Sequence, residues 1–150
     1  MKQRGVASVE LALLLPILVL LLGALYDFGC ALHDFNLMSK QARAAARHLM
    51  SGKAEDTQRQ QEAKNLVVFG NTQGSGTPLL ATLNTGMVQI LQPQADTSVQ
   101  LVSTGKGPLS LVSVTITGYR YSSFLLGALM PDQAVLGFTD ISATLPYNFF

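Results

Sequence analysis

The stretch that decides the fold lies near the amino terminus and reads Arg4-Gly5-Val6-Ala7-Ser8-Val9-Glu10. An apolar run that ends at Tyr26 follows it, and Glu10 is the one charged residue between Val6 and Tyr26. At a rise of about 1.5 Å per residue, a helix of this length covers roughly 30 Å, which is the thickness of the hydrocarbon core of a bilayer. The sequence therefore predicts a single helix that crosses a membrane and places the rest of the chain on one side of it.

Glu10 needs a physical reason, because a carboxylate inside an apolar segment raises the free energy of insertion into the membrane. One interpretation is that Glu10 lies in the first turn, where the helix dipole favours an anion. A second is that the chain is cut after Gly5, which makes Val6 the new amino terminus. Glu10 then lies one helical turn further along on the same face, where it can pair with an ammonium group of its own chain or of a neighbour.

The residues around this site resemble a known family. Gly5 before an apolar helix, with Glu10 five residues into the cleaved product, resembles the prepilin peptidase site of type IV pilins and pseudopilins. Within that group, the segment resembles the TadE-like pseudopilins of Tad (Flp) pili over about residues 4–50. The motifs that carry this resemblance are the run from Arg4 to Pro16, then Gly23, Asp27 and Gly29, and the segment from Asn36 to Arg47. One departure is Leu11, where the family often has an aromatic residue.

This resemblance implies a minor pseudopilin that acts in assembly of a Tad-type pilus, a type of fibre associated with adhesion. A membrane prepilin peptidase would cut between Gly5 and Val6, and Glu10 would register the chain against a neighbour's amino terminus. The implied partners are the membrane, the prepilin peptidase, other pilins or pseudopilins and the assembly-platform proteins. The resemblance is compatible both with a subunit that enters the extracellular fibre and with one that remains in the membrane.

Composition limits the alternatives. The chain has 150 residues, of which 48% are hydrophobic and 13% are charged, against about 25% charged in ordinary soluble domains. The apolar run accounts for much of that difference, so the remainder can form an ordinary small domain. The net charge of +1 argues against a nucleic-acid partner, and the single cysteine excludes an internal disulfide framework.

The charges that flank the apolar run predict its orientation. Lys2 and Arg4 precede the run, whereas Asp27 and Asp34 follow it. The positive-inside rule therefore places the amino terminus in the cytoplasm and the carboxyl-terminal domain outside it. For a pseudopilin this means the bacterial inner membrane with a periplasmic domain.

The same stretch allows other interpretations. A secretory signal peptide has a shorter apolar core than this one and ends in an Ala-x-Ala cleavage site, which does not follow here. A lipoprotein signal needs a more apolar lead-in to its cysteine than Asp27-Phe28 provides before Gly29-Cys30. The main alternative is an uncleaved single-pass anchor whose outer domain binds an envelope ligand or partner. A third is a secreted or lipid-anchored binding protein.

The helix is predicted to continue beyond the membrane surface to about Met50. Apolar residues recur at alternating intervals of three and four and form one helical stripe. Its members are Phe28, Ala31, Phe35, Met38, Ala42, Ala45 and Leu49. Asn36, Lys40, Arg43 and Arg47 form another face, which we interpret as solvated, with a site for acidic partners as the minority interpretation. Pro16 predicts a local bend in the membrane part of the anchor, which also includes Leu11 and Tyr26.

The rest of the chain predicts a small α+β domain. A capping box at Thr57-x-x-Gln60 starts a helix from about Gln58 to Phe69, and Gly70 ends it. Strands are expected at the ranges Thr85–Leu91, Thr97–Ser103, Leu109–Tyr121 and Gly137–Tyr147, with a short helix or packed loop within Ser122–Pro131. The predicted fold is pilin-like, with an antiparallel sheet on the second half of the long helix. The predicted division is a leader (1–5), the helix (6–50) and the outer domain (51–150).

Catalytic and metal-binding functions are not predicted. Cys30, His33 and Asp34 share one helix face, but no fourth ligand follows at a recognisable spacing. The glycine-rich segment at 71–78 lacks the pattern of a phosphate-binding loop, and no serine lies in a nucleophile elbow. We therefore expect a structural protein without an enzymatic activity, a cofactor or a metal ion.

Overall fold

The computed structural model describes residues 3–52, 56–91, 102–104, 107–130, 132 and 134–147. These residues form two compact units. The anchor unit comprises the described residues up to His33 together with those from Tyr121 to Leu136, and the sheet unit comprises those from Asp34 to Arg120 together with those from Gly137 onward.

The long helix α1 extends from Gln3 to Met50 and continues through Pro16 as α-helix. This confirms the predicted long amino-terminal helix, while the bend expected at Pro16 stays a prediction. Arg47 and His48 occupy the last turn, where the helix dipole favours cations. The helix ends in a turn in which the N–H of Ser51 donates to the carbonyl of His48 at 3.3 Å.

The predicted apolar stripe of α1 is buried only in its second half. Its buried members are Met38, Ala42, Ala45 and Leu49, which Ala46 joins. Phe28, by contrast, keeps 68% of its surface exposed, and Phe35 keeps 38%. Within the sheet unit, the ring of Phe35 lies 6.4 Å from that of Phe138, measured between centroids. Helical spacing thus identified the inward face correctly, but it did not show where along α1 that face is covered.

Helix α2 extends from Thr57 to Phe69, and its amino-terminal cap differs from the prediction. Asp56, not Thr57, is the cap residue, because its side chain accepts a hydrogen bond from the N–H of Gln58 at 3.0 Å. At the other end Gly70 adopts a left-handed conformation with φ 74°, as the predicted stop requires, and its N–H donates to the carbonyl of Leu66. The helix buries Ala63, Val67 and Val68.

A side-chain contact joins α2 to the end of α1. The Nε2 atom of His48 lies 3.0 Å from a carboxylate oxygen of Glu62, and both side chains are partly exposed. On the next turn the guanidinium of Arg59 donates to the carbonyl of His48 at 3.4 Å. The Arg59 bond adds a further donor, beside the N–H of Ser51, to a carbonyl in the last turn of α1, whose carbonyls have no partner inside the helix.

Among the described residues, strand β3 is the centre of an antiparallel sheet of four strands. The strands are β1 (Val88–Leu91), β2 (Val102–Thr104), β3 (Gly107–Ile116) and β6 (Ile141–Tyr147). β3 pairs with each of the other three, and opposite β6 its register sets Val114 against Ala143. β3 and β6 lie within the strands predicted at Leu109–Tyr121 and Gly137–Tyr147, and they are antiparallel neighbours. The predicted α+β class with a long helix and a small antiparallel sheet is therefore confirmed.

The long strand predicted at Leu109–Tyr121 is interrupted. β3 ends at Ile116, Gly118 takes a positive φ of 71°, and a new strand β4 runs from Arg120 to Ser122. Residues at alternate positions of β3 are buried, namely Val112, Val114 and Ile116. The period-two pattern therefore identified the buried face of β3 correctly. The strand stops before Gly118, because the positive φ of this glycine is incompatible with extended backbone.

Two other strand predictions change or fall outside the described residues. The weak strand at Thr85–Leu91 begins as a 3-10 turn, Thr85–Met87, because the side chain of Asn84 caps it, and only Val88–Leu91 is extended. Of the strand predicted at Thr97–Ser103, residues 97–101 lie outside the described residues.

The anchor unit contains a second short sheet. β4 pairs with β5 (Val135–Gly137), and helix α3 (Phe124–Leu129) lies between them in the chain. The N–H of Ser123 donates to the carbonyl of Ala134 at 2.7 Å, which closes the base of this connection. The apolar patch predicted as a short helix or packed loop is therefore a helix. We call the segment from Tyr121 to Leu136 the α3 hairpin.

Candidate processing and membrane-anchoring site

The predicted processing residues lie within the first two turns of α1. Gly5 and Val6 belong to the helical backbone, and Glu10 follows Val6 by four residues, so Val6 and Glu10 share one face of the helix. The side chain of Glu10 is exposed, and among the residues that the structure describes it has no charged partner. The local structure thus presents a carboxylate on the outside of an otherwise apolar helix.

The surface around Glu10 is apolar from one end of the predicted span to the other. The predicted anchor residues Leu11, Pro16 and Tyr26 are all exposed, as are the other large side chains between them. Among the described residues one helix, α1, is long and apolar enough to cross a membrane, with a mean hydropathy of 2.5 in its most apolar window. Exposing such a surface to water raises the free energy, whereas the apolar acyl chains of a bilayer can cover it without that cost.

Asp27 marks the end of this apolar surface and forms a polar cluster within the anchor unit. Although it follows Tyr26 directly, it is only 8% exposed. Its two carboxylate oxygens accept four hydrogen bonds. The donors are the hydroxyls of Ser123 at 2.6 Å and Tyr121 at 3.3 Å, and the backbone N–H groups of Phe124 at 2.9 Å and Leu125 at 2.8 Å.

The protonation states in this cluster follow from those contacts. The hydrogen bond from Ser123 holds the pKa of the Asp27 carboxyl below its usual value, and the two backbone N–H groups add to this effect against the opposing effect of burial. Burial and the neighbouring Asp27 charge raise the pKa of the Tyr121 hydroxyl. Asp27 is therefore an ionised acceptor and Tyr121 a neutral donor, so the cluster is electrostatically consistent at neutral pH.

Asp27 and Ser123 together complete the amino-terminal end of α3. The first N–H groups of a helix have no partner inside the helix. Here the N–H groups of Phe124 and Leu125 donate to Asp27, and that of Leu126 donates to the hydroxyl of Ser123 at 3.0 Å. The carboxylate thus ties the α3 hairpin to α1 at the carboxyl end of the apolar run.

The Asp34 carboxylate, which shares a helix face with Cys30 and His33, accepts a hydrogen bond within the sheet unit. The donor is the Tyr119 hydroxyl, at 2.8 Å. Burial and this bond raise the pKa of Tyr119 to about 12. The ring of Tyr119 also lies 5.5 Å from that of Phe138, so this tyrosine connects α1 with the segment between β5 and β6 inside the sheet unit.

The predicted basic face of α1 is exposed along its length in the sheet unit. Its members are Asn36, Lys40, Arg43 and Arg47. They line a shallow cleft together with Phe35, Ser39 and Ala44. This arrangement agrees with a solvated face, and a role for it in binding acidic partners stays a prediction.

Residues 5–47 match the family model described as TadE-like protein. The amino-terminal segment is therefore TadE-like. This TadE-like segment includes Gly5, Val6, Glu10 and Asp27, so the match covers the predicted processing site and the carboxylate that holds the α3 hairpin. No curated protein and no solved structure matches the chain significantly. The match associates the chain with the Tad pilus system, and together with the apolar helix it fits a membrane-anchored protein of that system.

From the sequence, Asp27 is assigned to the TadE-like motif and to the charge balance across the membrane, but its structural partners are not predicted. A local signal was present, since a serine at 123 directly before the apolar run Phe124-Leu125-Leu126 is typical of a helix cap. Nothing in the sequence indicated that this cap contacts a carboxylate of α1, which lies 96 positions earlier in the chain.

Proposed function

We propose that this chain is a minor pseudopilin that acts in the assembly of a Tad-type pilus and is processed by a prepilin peptidase after Gly5. The TadE-like match over residues 5–47 carries the proposal, because it begins at the predicted cleavage site and covers the apolar helix that follows. In this function the chain is a structural component and not an enzyme.

The membrane arrangement is part of the same proposal. The segment from Val6 to Tyr26 spans the bacterial inner membrane, with the amino terminus in the cytoplasm and the carboxyl-terminal domain in the periplasm. Lys2 and Arg4 on one side and the acidic residues after Tyr26 on the other support this orientation. The partners are the prepilin peptidase, other pilins or pseudopilins and the assembly platform, and the processed chain either remains in the membrane or enters the fibre.

Processing gives Glu10 a cationic counterpart. Hydrolysis of the Gly5–Val6 peptide bond consumes one water molecule and releases a five-residue leader, which leaves an α-amino group on Val6. With an ordinary pKa of about 8, that group is protonated at neutral pH. An ion pair between it and Glu10, within one chain or between neighbours, lowers the cost of keeping a carboxylate in lipid. The exposed position of Glu10 supports pairing with a neighbour.

Mass spectrometry of the membrane fraction tests the proposal. The expected mature protein begins at Val6, and Gly5→Ala is expected to retain the leader. Gly29→Ala is a matched control, since Gly29 lies in the same helix and a Cβ there would meet nothing within 4 Å. An intact Met1 start in the wild-type protein, or normal cleavage of Gly5→Ala, would overturn the proposal in favour of the uncleaved anchor with an envelope-binding domain.

A further inference from the structure

The α3 hairpin exposes an unusual amount of apolar surface for a segment outside the membrane helix. Phe124 is 71% exposed, and four further large apolar side chains of the hairpin are exposed as well: Leu129, Met130, Val135 and Leu136. Between Tyr121 and Leu136 the sequence contains one charged residue, Asp132. An accumulation of exposed large apolar side chains in one short segment is typical of a surface that contacts a partner or a membrane.

The position of the hairpin on α1 indicates which of these it contacts. Leu125 lies directly against Gly23, since a Cβ placed on Gly23 would be 3.1 Å from a terminal carbon of Leu125. Gly23 lies inside the apolar run, one turn before Asp27, which is about 6 Å along the helix axis. Helices that lie in the plane of a membrane surface bury their apolar face to a similar depth of roughly 5–10 Å.

The backbone of the hairpin is also suited to an apolar medium. In lipid, an unpaired N–H or carbonyl group is costly because no water can replace its partner. Asp27 and Ser123 satisfy the first three N–H groups of α3, as described above. The next N–H, that of Gly127, donates to the carbonyl of Ser123 at 3.0 Å, and that of Met130 donates to the carbonyl of Leu126. The amino-terminal end of α3 therefore needs no water.

We propose that the α3 hairpin is a second membrane-contacting element, which inserts its exposed apolar side chains into the lipid interface at the carboxyl end of the span. Its surface continues the lipid-facing surface of α1, and Asp27 fixes it at that depth. This inference rests on the proposed membrane anchoring of α1. It adds that the membrane anchor consists of α1 together with the α3 hairpin and not of α1 alone. The second contact with the bilayer restrains the rotation and tilt of α1.

Fluorescence quenching on the full chain tests this inference. Cys30 is the only cysteine of the chain, so Cys30→Ser gives a background for single labels. Phe124→Cys and Leu129→Cys place an environment-sensitive nitrobenzoxadiazole label at the two ends of α3. Leu18→Cys labels the predicted span, and Ser142→Cys labels an exposed position on β6. Each protein is reconstituted in phosphatidylcholine vesicles that contain nitroxide-labelled lipid, with the nitroxide near either the headgroup or the end of the acyl chain.

The expected result separates three depths. Labels at 124 and 129 should lose severalfold more fluorescence to the shallow nitroxide than the label at 142, and severalfold less to aqueous iodide. The label at 18 should respond most to the deep nitroxide. Unchanged amide protection of both β3 and α3 in hydrogen exchange would show that the sheet unit and the hairpin are folded in each labelled protein.

Each other outcome overturns the inference in a distinguishable way. If the label at 18 reports lipid while those at 124 and 129 behave like the label at 142, the hairpin lies in water and the proposed function stands without it. If the hairpin labels are shielded from both iodide and nitroxide, a polypeptide such as a second copy covers the surface instead of lipid. If the label at 18 also fails to report lipid, the anchoring proposal fails together with the inference.

Discussion

The carboxylate of Asp27 accepts a 2.6 Å hydrogen bond from the hydroxyl of Ser123, a residue 96 positions further along the chain. Both side chains are buried, and the same serine hydroxyl accepts from the N–H of Leu126. One short contact therefore links the end of the apolar segment of α1 to the start of α3. Its strength comes from the charge on the acceptor, because hydrogen bonds to ionised groups are stronger than those between neutral groups.

The first prediction concerns Asp27→Asn. The amide has the size of the carboxylate, but it replaces one acceptor oxygen with an NH2 group that points a donor at other donors. We expect the N–H groups of Phe124 and Leu125 to exchange with solvent faster by on the order of tenfold or more, because bonds to a charged acceptor are lost. Hydrogen exchange of the full chain in detergent micelles, read by mass spectrometry, measures this change.

A matched control for that substitution lies in the same hairpin. Asp132 is exposed, so Asp132→Asn removes the same charge without the buried contacts. It should leave exchange in α3 unchanged, and neither variant should alter exchange in β3. Equal rates in Asp27→Asn and the wild-type protein would show that the cluster does not hold α3.

Acid should weaken the same cluster. Because hydrogen bonds place the pKa of folded Asp27 below the ordinary value of 3.8, its contribution to stability is complete above that value. It is lost as the pH falls below 3.8 toward the folded pKa, since the folded protein must then take up a proton against those bonds. Tyrosine near-ultraviolet circular dichroism should report loosening around Tyr121 in this range. In Asp27→Asn that pH-dependent step should be absent, and its persistence would assign it to another group.

Tyr119 should cause the opposite dependence in alkali. Its folded pKa of about 12 lies above the ordinary value of 10.0, so its contribution to stability is complete below pH 10.0 and is lost as the pH rises toward 12. The difference in phenolate absorbance between wild type and Tyr119→Phe isolates its titration. Asp34→Asn should shift the midpoint downward, because it removes the charge that opposes phenolate formation, whereas Asp140→Asn at an exposed position should not. A midpoint near 10 in the wild-type protein would contradict the buried hydrogen bond.

Much of the fold follows from local sequence patterns. The apolar periodicity of α1 and the alternation in β3 identified the correct faces, because each depends only on the geometry of one element. Two details differ from the prediction. The cap of α2 is Asp56 and not Thr57, although both are cap-forming residue types and the bond to Gln58 is local. Phe28 is exposed although it fits the stripe, because helical spacing identifies a face but not how far along the helix that face is covered.

The candidate site contains residues that are close in sequence and residues that are brought together only by tertiary packing. Gly5, Val6 and Glu10 lie within six consecutive residues, so the sequence alone is enough to predict a processing site there, and that site stays a prediction. The Asp27 cluster was not predictable, because its members come from two segments whose approach is set by tertiary packing. A carboxylate after an apolar run and a serine before another are common separately, and only the structure shows that they meet.

The last prediction concerns Glu10, which the proposed function needs for assembly but not for membrane insertion. Glu10→Gln removes the charge, so insertion becomes easier and the amount of protein in the membrane should be unchanged or higher. Loss of the ion pair with a neighbour's amino terminus should reduce the yield of sheared pili to a small fraction of the wild-type yield. Cleavage after Gly5 should continue, which separates a defect in assembly from one in processing. Asp140→Asn removes an exposed acid that is not part of α1 and should assemble normally. A wild-type yield of fibre from Glu10→Gln would show that this carboxylate does not register the subunits, even if the leader is cleaved as proposed.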